Sequence, residues 1–363
     1  MSRRDLAGRH VLLTTDAVGG VWSYSLAVAA GLAAQGARCT LATLGPAPSA
    51  AQRAQAAGLR LVETGWPLDW TAPDAATLAQ VAAALGGLAA QCGAGTLHLH
   101  APALAAFPFR LPVAAVAHSC VGTWWRAVRA GPAPAAFAWR MALMAEGLAR
   151  ADAVVAPSHA FAAALRSAYG LRRTITVIHN GLPAAAPANV SRERSVLAAG
   201  RLWDAGKNLA VLDQAAASLD APVHAAGPAA GPDGSAFAPR CLRLLGNLAA
   251  AELRAAYGRA AVFAAPALYE PFGLAVLEAA QSATPLVLSD IPTFRELWDG
   301  AAVFVPPRDA AAWRDALQAL LAAPDRRARL GAQAQARAAR YGAEPMVAAT
   351  AALHAAMPAL EPA

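Results

Sequence analysis

The segment YEPFGLAVLE, residues 269–278, follows a strand-like apolar run at Val262–Ala265 and opens an apolar helix. A strand that turns directly into a helix is the repeating unit of parallel α/β sheets. Proline is tolerated in the first turn of a helix, where its missing N–H loses no partner, and we expect Pro271 in that position. The segment therefore predicts a parallel α/β domain with a functional loop at the carboxyl end of a strand.

The same segment carries the groups of an anion-binding site. Gly273 lets the backbone approach a ligand, and the amides of Phe272, Gly273 and Leu274 lie at a helix N-terminus, where anions bind. Glu270 precedes these amides, and Glu278 follows Phe272 by about 9 Å of helix. One extended ligand can meet all three features in turn. A nucleotide sugar has that layout of hydroxylated sugar, diphosphate and ribose diol, and the diol suits a carboxylate acceptor.

A second motif, GRLWDAGKN at residues 200–208, follows the apolar run Ser195–Ala199. It contains Lys207, the only lysine among the 30 basic residues of the chain. Arginine presents a planar fork and lysine a compact point charge. We therefore expect Arg201 and Lys207, close together after a strand, to bind clustered anionic oxygens such as a diphosphate.

Strand, glycine-bearing turn and Ala/Leu-rich helix recur in two copies. The first copy opens with a strand at Val11–Thr15, a turn at Asp16–Gly20 and a helix at Trp22–Gln35, and the second opens with the strand at Ser195–Ala199. The other strands are expected at Cys39–Leu44, Thr96–His100, Val113–His118, Ala153–Ala156, Thr174–Ile178, Val223–Ala226, Leu242–Leu245, Ala261–Ala264, Pro285–Ser289 and Ala302–Val305, and later helices at Ala310–Ala322 and Arg326–Tyr341.

This pattern predicts an α/β protein with two Rossmann-like, doubly wound domains that face one another across a cleft, with ligands at the strand C-termini. The expected divisions are a first domain at residues 1–178, a linker at 179–194, a second domain at 195–343 and a C-terminal helix and tail at 344–363. A length of 363 residues agrees with two domains.

Charge and cysteine content narrow the class of partner. The formal net charge of +7 and the pI near 9.8 favour anionic ligands, while the lack of a long run of like charges argues against a nucleic-acid arm. We expect no transmembrane helix and no signal peptide, because Arg, Asp, Gly and Pro interrupt the long apolar stretches. The four cysteines form no Cys-x-x-Cys pair, which indicates a reduced cytoplasmic protein without a structural zinc site.

The two motifs resemble those of the large group 1 (family 4) retaining glycosyltransferases of the GT-B fold. Glu-Pro-Phe-Gly-Leu-x-x-x-Glu is preceded here by Gly-Arg-Leu-x-x-x-x-Lys-Asn. Shorter supporting pieces stand in the expected order: Gly19-Gly20 after the first strand, His118 after a later one, Asn180-Gly181 at the linker and Leu245-Gly246-Asn247-Leu248 in the second half. The pieces span about residues 11 to 305.

The resemblance implies a first domain that binds the acceptor and a second that binds the nucleotide sugar. It also implies a role for each matching residue. In the second domain, Arg201 and Lys207 would hold the donor diphosphate, and Glu270 with the amides of Phe272, Gly273 and Leu274 would face the sugar. Glu278 would bind the ribose, and the loop of Asn247 would meet the base. In the first domain, Gly19 and Gly20 would let the first loop approach the diphosphate and acceptor, and His118 would contact the sugar or acceptor near the anomeric carbon.

The reaction implied is retaining, metal-independent transfer from a nucleotide-diphosphate sugar, most simply a UDP- or GDP-sugar, to a glycan, lipid-linked or small-molecule acceptor. The chain contains no Asp-x-Asp, so the cations of the protein are expected to neutralise the diphosphate in place of a metal, and no other cofactor is expected. No nucleic-acid partner is expected. Glu270 would position the sugar rather than act as a covalent nucleophile.

A segment rich in Trp and Arg, residues 124–141, leaves peripheral contact with the inner membrane face open. We favour packing or an acceptor wall, because the sequence GPAP at 131–134 interrupts any long amphipathic face. Two other polar features have structural interpretations. His98 and His100 share one face of a strand without a third ligand, which favours packing or a loop hydrogen bond over a metal, and Ser158 is expected to cap a helix.

Four alternatives remain. A nucleotide-sugar epimerase of similar fold is the nearest. A pyridoxal-dependent phosphorylase needs a Schiff-base lysine, and the one lysine is already assigned to the phosphates. A dinucleotide-dependent oxidoreductase is disfavoured because the first turn lacks Gly-x-Gly-x-x-Gly. A non-catalytic protein that binds sugar nucleotides or glycans is the fourth.

Overall fold

The computed structural model describes residues 6–184, 190–231 and 234–358. They form two compact units. The first comprises residues 6–126, 130–181 and 343–358, and the second comprises residues 127–129 and the described part of 182–342. The C-terminal helix therefore belongs to the first unit. Residues 185–189 of the expected linker and 359–363 of the expected tail lie outside the described residues.

The first unit is built on a parallel sheet whose strands follow the order β3-β2-β1-β4-β5-β6-β7. The strands are β1 (His10–Asp16), β2 (Arg38–Leu44), β3 (Arg60–Glu63), β4 (Thr96–Leu99), β5 (Val113–Val116), β6 (Ala153–Ala156) and β7 (Thr176–Val177). The α-helices are α1 (Gly20–Ala33), α2 (Ala50–Gln55), α3 (Ala75–Cys92), α4 (Val121–Val128), α5 (Ala138–Arg150), α6 (His159–Tyr169) and α13 (Ala343–Ala356), and the last two residues of α4 are grouped with the second unit. The order reverses between β1 and β4, which places the loops after these strands at the switch point where Rossmann folds bind ligands.

The central strands of this sheet are buried on both faces, as parallel sheets require. Val11 and Leu13 of β1 pack with Val28 and Leu32 of α1 and with Met346 of α13. The approach of α13 to α1 depends on Gly31, because a Cβ there would lie 2.4 Å from the side chain of Val347.

The second unit repeats the topology with a parallel sheet in the order β10-β9-β8-β11-β12-β13. The strands are β8 (Glu193–Ala199), β9 (Val223–Ala226), β10 (Arg243–Gly246), β11 (Ala260–Ala265), β12 (Leu286–Ser289) and β13 (Val303–Val305). The α-helices are α7 (Leu209–Ala216), α8 (Ala250–Arg259), α9 (Leu274–Gln281), α10 (Pro292–Trp298), α11 (Ala310–Leu321) and α12 (Pro324–Ala338). Here the switch point lies between β8 and β11.

Two apolar clusters cover this second sheet. One gathers Tyr257, Phe294 and Trp298, and the other packs Trp313 and Leu317 of α11 against the strands. Because apolar layers bury both faces, functional groups are left to the loops at the strand ends. The predicted fold class, two doubly wound α/β halves, is confirmed.

Several local predictions need correction. The sequence did not single out β3, α2 or α3. Pro271 does not lie in the first turn of a helix, because Gly273 adopts φ 97° and α9 begins only at Leu274. A left-handed residue cannot continue a right-handed helix, so the proline belongs to the preceding loop. Helix α12 ends at Ala338 rather than at Tyr341.

Within the described residues, α3 is long and apolar enough, by length and composition only, to cross a membrane. It connects the parallel strands β3 and β4 and buries Leu78, Val81 and Leu85 on one side. This position makes α3 a crossover helix of the first sheet.

Candidate active site

The loop after β8 carries both predicted diphosphate ligands. Strand β8 ends at Ala199, and a short 3₁₀ turn at Ala205–Lys207 follows. The Asp204 carboxylate accepts a hydrogen bond from the Gly206 N–H at 2.8 Å. It also forms an ion pair with Arg201 Nη2 at 3.1 Å. Asp204 therefore fixes the turn and also orients the guanidinium of Arg201.

Asn208 ties this loop to two others. The residue adopts the left-handed conformation, with φ 56°. Its Nδ2 donates to the carbonyls of Pro266, at 2.9 Å, and of Pro307, at 2.7 Å. The sequence places Asn208 in a motif without assigning it a role; its two carbonyl partners come from segments 58 and 99 residues away.

Gly206 makes a second connection between the same loops. Its carbonyl accepts hydrogen bonds from the Leu268 N–H at 2.8 Å and the Tyr269 N–H at 3.2 Å. Together with the Asn208 bridge, these bonds hold the loop after β8 against the loop after β11. The two motifs, more than 60 residues apart in the chain, thus form one site at the switch point.

Lys207 and Glu270 form an ion pair within this site, with Nζ donating to Oε2. Their side chains are 20% and 15% exposed. The two groups therefore lie side by side in a position that a ligand can reach, with most of each side chain removed from water. The cation assigned to the phosphates and the carboxylate assigned to the sugar are direct neighbours.

The start of α9 lies next to this pair. A Cβ on Gly273 would lie 3.1 Å from the Phe294 ring and 3.3 Å from Glu270 Cγ, so glycine is needed for space as well as for its positive φ. Phe272 is 3% exposed, and its ring meets the edge of Tyr341 with centroids 5.6 Å apart. The Phe272 side chain thus belongs to the core, and only its backbone remains as a candidate for ligand binding.

Glu278 lies on α9, partly buried, with its carboxylate in contact with a tyrosine. Tyr257 Oη donates to Oε2 at 2.8 Å. Burial raises the pKa of the Glu278 carboxyl, and the hydrogen bond from Tyr257 and the charge of Arg254 oppose that rise. Sequence reasoning missed Tyr257.

The loops after β9 and β10 also approach the switch point. Gly227 N–H donates to the Gly246 carbonyl at 2.8 Å, and a Cβ on Gly227 would lie 1.9 Å from the Gly200 carbonyl oxygen. Only glycine permits that approach. Asn247, the predicted base contact, follows Gly246 and is exposed.

In the first unit, Gly19 and Gly20 stand at the end of the β1 loop, where Gly20 is the first residue of α1. His118 follows β5, and its Nε2 shares a hydrogen bond with His100 Nδ1 at 2.8 Å. The Tyr24 ring meets the edge of His118 with centroids 4.7 Å apart. These loops lie at the carboxyl ends of β1, β4 and β5, on the ligand-binding side of a Rossmann sheet.

His118 belongs to a cluster of four histidines, of which His98 and His354 are buried and His100 and His118 are partly buried. His98 Nδ1 shares a hydrogen bond with His354 Nε2 at 2.9 Å, and the His98 and His100 rings lie 4.9 Å apart. Burial lowers the pKa of all four rings, to about 4 for His118 and His354. The prediction that His98 and His100 pack is confirmed, whereas His354 comes from α13 and had no signal in the sequence.

The remaining predictions concern structural roles. Ser158 Oγ accepts from the Phe161 N–H at 3.1 Å, which confirms the helix cap. Within the segment 124–141, Trp125 lies 5.7 Å from the Phe137 ring, and the Arg140 guanidinium lies over Trp139 at 4.2 Å. These contacts agree with the packing interpretation of that segment.

Comparisons with known proteins agree with this architecture. Residues 18–185 match the family model described as Glycosyltransferase Family 4, and residues 193–323 match that of Glycosyl transferases group 1. The O-antigen chain mannosyltransferase RfbU of Salmonella typhimurium is 36% identical over 74 residues, which cover 20% of this chain and 21% of that protein. The chain aligns with 21–26% of the length of the curated relatives it matches.

Two solved structures show the same fold over nearly the whole chain. The sucrose-phosphate synthase of Thermosynechococcus elongatus superposes with a TM-score of 0.79 and 20% identity, covering 95% of this chain and 98% of that one. Anabaena Alr3699/HepE in complex with UDP-glucose gives a TM-score of 0.75 and 17% identity, covering 96% and 100%. With both family models matched in order and the fold shared, the chain belongs to the group 1 (family 4) glycosyltransferases of the GT-B fold.

Proposed function

We propose that this chain is a metal-independent, retaining glycosyltransferase that moves a sugar from a nucleotide-diphosphate sugar to an acceptor hydroxyl. The observation that carries the proposal is the joining of Arg201, Lys207 and Glu270 at the switch point between β8 and β11. Doubly wound sheets bind nucleotides at this point. The second unit holds the donor, and the first unit supplies the acceptor side through His118 and the Gly19-Gly20 loop.

The cations at the switch point match the charge that develops in the reaction. As the sugar–phosphate bond breaks, negative charge grows on the departing diphosphate and positive charge grows on the sugar ring. Arg201, oriented by Asp204, and Lys207 stabilise the diphosphate, and the amides at the start of α9 add to them. These groups replace the metal that neutralises the diphosphate in other transferases.

Glu270 positions the sugar. Its carboxylate is held by Lys207, and an ion-paired carboxylate is a weaker nucleophile than a free one. Attack and departure then occur on one face of the sugar, and a donor phosphate oxygen accepts the proton of the acceptor hydroxyl. The His118 ring lies with its centroid 4.7 Å from that of Tyr24 and shares a hydrogen bond with His100. These two contacts fix the His118 ring for contact with the sugar or acceptor.

The donor is a UDP- or GDP-sugar, and the complex of a structural relative with UDP-glucose supports the first. Glu278 binds the ribose, and the loop of Asn247 meets the base. The acceptor is a glycan, a lipid-linked sugar or a small molecule. The protein acts in the cytoplasm, and contact of the segment 124–141 with the inner membrane face is the alternative to its packing role.

Donor hydrolysis tests the proposal without knowledge of the acceptor. Purified protein is incubated with UDP-, GDP- and ADP-sugars, and free nucleotide is measured with and without EDTA. Slow release from one donor, unchanged by EDTA, is expected. Once an acceptor is found, proton NMR of the glycoside product should show the anomeric configuration of the donor, because a glycoside does not mutarotate as the free sugar does. An inverted anomer would refute retention, and loss of activity in EDTA would refute metal independence.

Matched variants connect that activity to the site. Lys207→Ala should abolish most of the release, while Arg326→Ala, which removes an exposed cation from α12, should leave it at the wild-type rate. Absence of saturable binding by uridine, guanosine and adenosine diphosphates would overturn the proposal as a whole.

A further inference from the structure

Among the residues that the structure describes, one side chain hydrogen-bonds to Glu278, and it contacts only one of the two carboxylate oxygens. Tyr257 donates to Oε2. Among the described residues, no hydrogen-bond donor contacts the second oxygen, Oε1. A carboxylate that is held through one oxygen keeps its other oxygen available as an acceptor.

Tyr257 is itself firmly placed. It lies near the end of α8, is 1% exposed and meets the Phe263 ring with centroids 5.5 Å apart. Its carbonyl accepts the Thr284 hydroxyl at 2.7 Å. Because ring and backbone are both held, the hydroxyl oxygen has a fixed position, and the acceptor that it reaches there is the Glu278 carboxylate.

The elements around α9 bring no second hydrogen bond to the carboxylate among the described residues. Helix α8 contributes Tyr257 and the charge of Arg254. Helix α12 meets α9 through Gln335, whose amide donates to the Gln281 carbonyl rather than to Glu278. Without Tyr257, the side chain would rotate about its own bonds and lose that entropy on binding.

We propose that Tyr257 is the positioning residue of Glu278: its hydroxyl holds Oε2 so that Oε1 faces the vicinal diol of the donor ribose. The inference rests on the proposed function, since it assumes that Glu278 receives the ribose of a nucleotide. It adds the residue that selects a ribonucleotide over its 2′-deoxy counterpart. The ring of Tyr257 packs in the apolar core, and its hydroxyl hydrogen-bonds to Glu278.

The test compares a ribonucleotide with its deoxy analogue by isothermal titration calorimetry. The probes are UDP and GDP, whichever the wild type binds more tightly, and the matching 2′-deoxynucleoside diphosphate. The wild type should prefer the ribonucleotide about tenfold, the value of one charge-assisted hydrogen bond. Tyr257→Phe, which removes one oxygen and keeps the ring, should reduce that preference to about twofold.

Two controls separate positioning from stability. Tyr341→Phe removes a hydroxyl that donates to the Leu297 carbonyl at 3.2 Å in the same unit. It should lower the melting temperature about as much as Tyr257→Phe does, and it should keep the tenfold preference for the ribonucleotide. Glu278→Ala should abolish the preference and set its lower limit.

The pH profile supplies an independent readout. The Tyr257 hydrogen bond lowers the pKa of Glu278 against the effect of burial, so Tyr257→Phe should move the acid limb of nucleotide affinity to higher pH. A purely structural tyrosine would leave that limb in place. If Tyr257→Phe keeps both the wild-type preference and the wild-type acid limb, the positioning role is refuted while the proposed function stands. If the wild type binds neither nucleotide, both proposals fall together.

Discussion

The Nζ of Lys207 donates a hydrogen bond to Oε2 of Glu270, which joins the only lysine of the chain to the first glutamate of the segment 269–278. The pair links loops that follow adjacent strands, β8 and β11. Each group is the ion-pair partner of the other. When a diphosphate binds Lys207 as proposed, the ammonium charge has an anionic partner both before and after binding, because the carboxylate remains beside it.

The first prediction concerns the shape of the cation at position 207. Lys207→Ala should lower kcat of donor release about 10²- to 10³-fold, the usual cost of removing one preorganised donor at a transition state. Lys207→Arg should recover part of the loss, because it restores the charge but replaces a point charge with a planar fork. Steady-state kinetics give both values. Equal activity in all three proteins would exclude the role.

The second prediction uses the rarity of lysine. An amine-reactive acetylating reagent has two targets in this chain, the Lys207 side chain and the terminal amine. A saturating nucleoside diphosphate should slow acetylation of Lys207 several-fold and leave the terminal amine unaffected, because bound phosphate oxygens cover Nζ. Peptide mass spectrometry follows both sites in one sample. Unchanged labelling of Lys207 in the presence of bound nucleotide would place the phosphates elsewhere.

The third prediction separates two contributions of Asn208. Asn208→Gly removes the bridge to the Pro266 and Pro307 carbonyls but tolerates the positive φ, whereas Asn208→Ala also introduces backbone strain. Each lost hydrogen bond costs about 1 kcal/mol, and the left-handed conformation costs alanine about 1 kcal/mol more. Thermal unfolding should rank wild type above Asn208→Gly above Asn208→Ala. The reverse order of the two variants would contradict the strain argument.

The fourth prediction concerns acid stability. Burial lowers the pKa of His98, His100, His118 and His354, so the folded state binds fewer protons than the unfolded chain below pH 6.5. The free energy of unfolding should therefore keep its full value above pH 6.5 and fall as the pH drops toward 4. Each ring should lower it by about 1.4 kcal/mol per pH unit in that range. Melting temperatures between pH 7.5 and 5 measure the slope.

Two variants test the origin of that slope. His354→Leu should make the decline shallower by about one proton, because one buried ring no longer titrates. Gln35→Ala, which alters an exposed side chain that does not titrate, should leave the slope as it is in the wild type. An unchanged slope in His354→Leu would show that the cluster does not govern acid stability.

Much of the fold could be predicted from the sequence, because buried parallel strands are short apolar runs with clear ends. The prediction for Val223–Ala226 and Ala153–Ala156 coincides with β9 and β6. Strand β3 (Arg60–Glu63) was missed because it lies at the edge of the sheet, and its two charged, exposed end residues flank only two half-buried apolar residues. Pro271 was misplaced because the conformation of Gly273, and not the proline, decides where α9 begins.

The site divides in the same way. The sequence by itself determined the candidate groups of the site, since Arg201, Lys207, Glu270 and Glu278 stand in two local motifs whose residue types and spacing suit a diphosphate and two sugars. Only the tertiary structure decided what holds them, because the partners come from distant segments: Asn208 on Pro307, Tyr257 on Glu278, and His354 on His98. A motif records the ligand that a loop must meet, whereas the contacts that fix a side chain depend on which strands and helices the fold makes neighbours.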